Sequence, residues 1–264
     1  TSFKVGSSYM FPMLFVTVAC GAISGFHSLV GSGTTSKQLD NEGDVKLIGY
    51  GSMLIEGVLA TLAIITAAYV TGGKLTDLLG AGGPVNVFSD GIGTFMASMG
   101  LSFTASKSFV ALAISAFALT SLDTATRLAR FIFQEFFEFD SEKNPNAASI
   151  ANVMTNRYVS TGFTVILGGA LAFRGWAQIW PIFGSANQLL AALALLSLAV
   201  WLKQSGREYR MAVYPMIFMF AVTLVALVLL MIANISNLIL LFFSVVLFIL
   251  EIVLILEAKK ELNV

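Results

Sequence analysis

Charge is scarce in this sequence. Only 11% of its 264 residues are Asp, Glu, Lys or Arg, where a soluble domain carries about 25%. Apolar residues make up 57%, and the mean hydropathy is +0.85. A water-soluble enzyme of this size has no use for so much apolar surface. Disorder, which goes with low hydrophobicity and high net charge, is excluded by the same numbers. Basic and acidic residues balance at 15 each, so there is no excess positive charge for a nucleic acid. A single Cys rules out a disulfide framework. One Cys with one His cannot build a zinc site from the usual ligands. No Gly-x-Ser-x-Gly elbow and no His-Glu-x-x-His helix is present, so nothing marks an enzyme and no cofactor is expected beyond a coupling ion. What is left is a polytopic membrane protein.

A spanning helix needs about 20 mostly apolar residues. The expected fold is all-α, a single transmembrane domain over 1–264. Its seven spans fall at about 11–30, 49–70, 108–137, 158–173, 177–202, 212–233 and 237–256. The runs are continuous, whereas barrel strands alternate with period two. The cluster Asn234-Ile235-Ser236-Asn237 is the natural turn between the last two spans. No stretch has the form of a signal peptide, and a chain starting at Thr1 reads as a fragment or a renumbered piece of something longer. With the N-terminus outside, 11 Lys and Arg fall in inner loops and 4 (Lys4, Lys74, Lys107 and Arg174) outside. The positive-inside rule therefore predicts N-terminus out and C-terminus in. The segment 72–107 has eight glycines and Pro84, with Val85, Phe88, Ile92, Phe95, Met96 and Met99 at helical spacing. It reads as a short amphipathic helix at the outer surface, either a structured loop or a lid over an outward-facing cavity.

Polar groups inside a membrane are costly, so each is a functional candidate. In the first span Gly21, Gly25, Gly31 and Gly33 punctuate a stretch holding Ser24, His27, Ser28, Ser32, Thr34 and Thr35. Irregular backbone at membrane depth is tolerated where it lines a cavity or is buried in protein. A half-helix starting here would offer free N–H groups and a positive dipole end to an anion. The alternative is close helix packing through small residues, with His27 a satisfied core residue. Two decoys fail. Gly31–Lys37 lacks the Gly-Lys ending of a phosphate loop, and Asp40–Asp44 has its glycine too early for a calcium loop.

In the third span Thr120, Asp123, Thr124 and Arg127 share one helix face. Two hydroxyls and a carboxylate there ligate a small cation, or Asp123 takes up a proton. The alternative is an i,i+4 ion pair of Asp123 with Arg127. In the fifth span Pro181 bends the helix, and the amides Asn187 and Gln188 sit at membrane depth as interhelical glue or as substrate contacts. Glu56 is expected to face protein or a cavity. Glu251, near the cytoplasmic end, is expected to reach water.

Together, Ser24–Leu39, Leu119–Arg130 and Trp180–Ala191 resemble the carbon starvation protein A family, in the family's order. Those proteins are longer, with a further set of helices before this region. The resemblance implies a prokaryotic inner-membrane carrier for peptides or pyruvate, driven by an ion gradient. It also implies the second half of an amino acid–polyamine–organocation-type inverted repeat, with this chain as the sixth to twelfth helices. The missing partner would be the N-terminal helices of the longer transporter. By that analogy the substrate sits against Gly25, Phe26, His27, Ser28, Ser32, Gly33 and Thr34, with Asn187 and Gln188. The coupling ion, H+ or Na+, sits at Thr120, Ser121, Asp123 and Thr124. No other metal site is expected.

Two other classes compete. A seven-helix receptor has this topology, but a retinal protein needs a Lys within the last span, and none lies between Asn237 and Glu257. A non-transporting structural subunit of a membrane complex would show a stable co-purified partner.

Overall fold

The computed structural model describes residues 4–5, 8–70, 73–137, 152–173 and 176–262. Lys143 and Arg174, counted above for orientation, and Gly72 of the outer segment fall outside these residues. A two-residue strand pair joins Lys4–Val5 to Ser8–Tyr9. Almost all other described residues are helical, as expected where a backbone must satisfy its own polar groups in lipid. The main helices are α1 (Phe15–Val18), α2 (Gly25–Gly33), α3 (Gly51–Tyr69), α4 (Gly73–Ser98), α5 (Phe103–Phe137), α6 (Arg157–Ala172), α7 (Trp176–Gln204), α8 (Arg210–Ala233) and α9 (Leu238–Leu262).

Among the described residues, six stretches are long and apolar enough to cross a bilayer: Met10–Lys37, Glu42–Tyr69, Phe103–Phe137, Ile179–Gln204, Arg210–Ala233 and Leu238–Leu262. The sequence suggested a seventh over 158–173. That stretch is helical as α6, but its 16 residues reach only about 24 Å, short of a hydrocarbon core of about 30 Å.

The chain forms two compact units. One comprises residues 1–33 and 158–264, the other 34–157. In the first, α7, α8 and α9 pack around a shared core. Leu189, Ala192, Leu196 and Ala199 of α7 meet Val213, Met216, Met219 and Phe220 of α8, with Ala258 and Leu262 of α9 at one end. Ala192 and Ala199 are fully buried, and small residues at these points let the backbones approach closely. Their outer faces are apolar as well (Phe242 and Val253 of α9 are exposed), which suits a lipid surround. The α7–α8 turn is a Schellman motif. Gly206 has φ +68°, Arg207 N–H donates to Leu202 O at 2.9 Å and Gly206 N–H to Lys203 O at 3.1 Å. The α8–α9 turn runs through Asn234–Asn237, where Asn237 Oδ1 accepts from Leu240 N–H at 3.4 Å.

In the second unit, α3, α4 and α5 follow one another and α4 packs on both neighbours. The segment expected to hold one short amphipathic helix is a longer element of 26 residues, broken at Gly82–Gly83. Gly83 has φ +66°, which glycine adopts without strain. Pro84 then opens the second half. The buried face of that half is Val87, Ser89, Asp90, Gly91 and Gly93. It is not the expected apolar set, of which Val85 and Met99 are exposed. The reason is close approach: a methyl on Gly91 would lie 2.7 Å from Thr66 Cβ, and one on Gly93 3.2 Å from Lys107 Cβ.

Candidate functional site

The first span is broken, and the break can be followed bond by bond. Met10–Gly21 runs through short π, α and 3-10 turns. The helix then stops, and α2 restarts at Gly25 after a non-helical step at 22–24. Ser24 is the N-cap of α2: its Oγ accepts from His27 N–H at 3.3 Å. The next donor is met from another helix. Asn187 Oδ1 of α7 accepts from Phe26 N–H at 2.8 Å and from Ser24 Oγ at 3.2 Å. Gly25 lies directly on α7, since a methyl there would stand 2.2 Å from Leu190 Cβ and 2.5 Å from the Asn187 carbonyl oxygen.

Two of the free N–H groups expected at the start of α2 are therefore already engaged. The Phe26 amide meets a side-chain carbonyl, and the His27 amide meets a hydroxyl. An amide oxygen, with its partial negative charge, suits the positive end of a helix dipole without needing an anion. Both readings of this stretch describe part of it. The helix is interrupted, and a small residue makes the close contact.

Other predicted residues take these places. Ser28 Oγ donates to Gly25 O at 2.6 Å and Ser32 Oγ to Ser28 O at 2.9 Å, back-bonds within α2. His27 is exposed, its ring 5.9 Å from that of Phe26. Gly33 ends α2, and Thr34 follows outside helical geometry at φ −127° and ψ −58°. On α7, Gly184 approaches the Val16 carbonyl, where a methyl would lie 3.2 Å away. Ser185 Oγ donates to Pro181 O at 3.0 Å. Gln188 is completely buried. Among the described residues, Asn187 Nδ2, Gln188 Nε2 and Gln188 Oε1 have no hydrogen-bond partner. Buried amide atoms are seldom left so, and such atoms mark places for water or a ligand. The structure thus brings Gly25, Phe26 and Asn187 to one crossing of α2 with α7, with Ser24, which the sequence reading had not placed among substrate contacts; Gln188 is the next residue of α7.

In the other unit, α5 carries Thr120, Ser121, Asp123 and Thr124 near its middle. The three hydroxyls donate to carbonyls of their own helix: Thr120 and Ser121 to Phe117 O at 2.8 and 3.2 Å, Thr124 to Thr120 O at 3.1 Å. Their oxygen lone pairs remain for a cation. Asp123 pairs with Arg127, one turn on, and its side chain is 66% exposed. The i,i+4 ion pair is thus present.

Two acids lie where the sequence did not suggest. Glu56 is on an exposed face of α3, because α3 meets α4 through its C-terminal part, Thr66 and Tyr69. Glu251 does not reach water and is 0% exposed. A third acid, Asp90 of α4, was not singled out. Its carboxylate is 7% exposed and is held by Lys74 Nζ at 2.9 Å and Lys107 Nζ at 3.0 Å. Burial acts to raise its pKa, but hydrogen bonds and charge from the two ammonium groups outweigh it and hold Asp90 below the usual carboxylate range. No periodic signal in the sequence joins these three residues.

With this geometry in place, comparison with known proteins gives one family. Residues 1–80 and 73–226 match the family described as carbon starvation protein CstA. The Escherichia coli K12 protein named Peptide transporter CstA is 29% identical, over 77% of this chain and 37% of its own length. The Mycobacterium tuberculosis H37Rv protein of the same name is 31% identical, over 75% of this chain and 33% of its own length. The E. coli K12 protein named Pyruvate/proton symporter BtsT is 29% identical, over 76% of this chain and 38% of its own length. The chain thus spans little more than a third of the length of these curated relatives. No solved structure matches. A multi-pass helical membrane protein matched over most of its length in this way belongs to the carbon starvation protein CstA family.

Proposed function

We propose that this chain is part of a secondary active carrier. It imports a small carboxylate such as pyruvate, or peptides, across a prokaryotic inner membrane, driven by a proton or sodium gradient. The observation that carries this reading is the α2–α7 crossing: a membrane helix interrupted at 22–24, capped by Asn187, beside three buried amide atoms without partners. Interrupted membrane helices persist where the freed backbone serves a cavity. Asn187 Nδ2 and Gln188 Nε2 are N–H donors, the groups that a substrate carboxylate needs. Pyruvate and peptides both present a carboxylate, and relatives are named for each. In this reading Gly25, Phe26, His27 and Ser28 offer the backbone and side-chain wall.

The α5 row supplies the coupling ion with oxygen ligands from Thr120, Ser121, Asp123 and Thr124. Sodium would take Asp123 only as Arg127 lets it go, so ion binding and the ion pair exclude each other. The test is uptake by the full chain reconstituted in liposomes. Labelled pyruvate or a dipeptide is expected to accumulate under an inward proton or sodium gradient, and D123N to lower that accumulation. Uptake indifferent to both gradients would remove the symport reading.

A further inference from the structure

Helix α9 buries an acid in an apolar core. Glu251 shares the buried stripe of α9 with Ser244, Ala258 and Leu262. It is 0% exposed, and neither Oε1 nor Oε2 has a hydrogen-bond partner among the described residues. Leu247, Leu254 and Ile255, one turn away on either side, pack against the core of α7 and α8.

The charged and titratable groups around it are few. Helices α7 and α8 make the main packing on α9. The only charged residue of α7 is Lys203, and its Nζ donates to Glu261 O at 3.0 Å. That tie lies ten residues after Glu251, about 15 Å along the helix. The only charged residue of α8 is Arg210, which is exposed and 4.0 Å from Glu208. Tyr209 precedes α8, and Tyr214 is exposed. On α9 itself, Lys260 pairs with Glu257 at 3.4 Å, and Lys259 lies at the same end. Among the described residues, no cation is placed to neutralise Glu251.

An ionised carboxylate taken from water with neither counter-charge nor donor costs several kcal/mol. The packing as it stands accommodates the uncharged acid. Between α8 and α9 a groove of about 470 Å³, lined by Val213, Phe220, Ile255, Ala258 and Lys259, reaches to within one turn of Glu251.

We propose that Glu251 is a proton-binding site, protonated while α7, α8 and α9 are closed on it and deprotonated when they part, so that the carrier loads and unloads a proton there. This rests on the carrier reading with a proton as a driving ion. Helix α9 lies beyond residue 226, where the family match ends, so the assignment comes from the packing of this chain.

The test uses the full chain in liposomes. E251Q keeps the shape of the side chain and cannot release a proton. It is expected to retain substrate exchange at zero gradient, which moves no net proton, and to lose proton-driven accumulation at least tenfold. Wild-type accumulation in E251Q overturns the proposal. An independent readout is the infrared carboxylic C=O band of the membrane-inserted protein. A band that shifts in deuterated water, disappears at alkaline pH and is absent from E251Q or displaced in E251D supports the site, also where E251Q has lost exchange. A band set unchanged by both substitutions overturns it. Wild-type protein that moves no substrate refutes the carrier reading alone, because the infrared result still decides whether Glu251 holds a proton.

Discussion

Asn187 shows how much one side chain can do. Its oxygen accepts from the backbone of α2 and from Ser24, while its nitrogen has no partner among the described residues. Replacing it by Ala strands the Phe26 amide, and N187A is expected to cost about 1–3 kcal/mol. Thermal unfolding in detergent would read this as a lower midpoint. N187D keeps the acceptor and exchanges the free donor for a second acceptor. It is expected to keep most of the stability and lose affinity for a carboxylate, which separates the cap from the binding role. Glycine substitutions give a second contrast. G25A has to place a methyl against α7 backbone, whereas G31A meets nothing within 4 Å. G25A is expected to reduce folded yield severely, and G31A to be neutral or stabilising by up to about 1 kcal/mol. Equal yields of the two variants by size-exclusion chromatography would contradict the contact. The glycines and serines at 21–33 and the amides at 187–188 were visible in the sequence as anomalies in apolar runs. That one amide caps the other segment was not, because Asn187 is 161 residues from Phe26 and a cap is a matter of angle and distance.

At the scale of the element, α4 is fastened unevenly. Its second half is held to α3 by Gly91 on Thr66 and by the Tyr69–Phe95 ring pair at 5.1 Å, and to α5 by Asp90 with Lys107. The first half is joined to the second by Lys74 with Asp90 and by Asn86 Nδ2 donating to Leu78 O at 3.2 Å. Residues 73–81 are thus the part of α4 with fewer restraints. D90N removes the charge and leaves two ammonium groups facing each other. Amide exchange over 73–81 is expected to quicken a few-fold to roughly tenfold, a modest effect because Lys74 is solvated. Because the folded pKa of Asp90 is lowered, its contribution is present above the ordinary carboxylate value of about 3.9 and is lost only as pH falls through the lower folded value. Exchange over 73–81 should therefore change little between about pH 5 and 8, after correction for intrinsic rates, and rise in strong acid. A midpoint near neutrality would refute this. The helical character of this segment was legible from its spacing, but its buried face was not. Gly91, Gly93 and a neutralised Asp90 leave no hydrophobic signature.

At the scale of the molecule, the all-helical membrane bundle follows from composition and run length alone, since lipid leaves the backbone few alternatives. The depth of single acids does not follow. Glu251 and Asp123 each interrupt an apolar stretch, yet one is fully buried and the other largely exposed beside Arg127. What separates them is which face meets a neighbour, a property of packing. Orientation rests on the Lys and Arg asymmetry and is open to a direct check. A cysteine introduced at Lys74 is expected to react with an impermeant thiol reagent from outside, and one at Arg207 only after permeabilisation; the opposite pattern reverses the topology.

The seat of Gly25 on α7 has a mechanical consequence. A junction with no room for one methyl group holds α2 and α7 at their closest approach at Gly25. Motion of α2 against α7 is then expected to take the form of tilting about that point, with Gly25 as the fulcrum. Spin labels at Gly31 and on α7 should separate by several ångströms between working states, while a pair placed next to the fulcrum stays at constant distance.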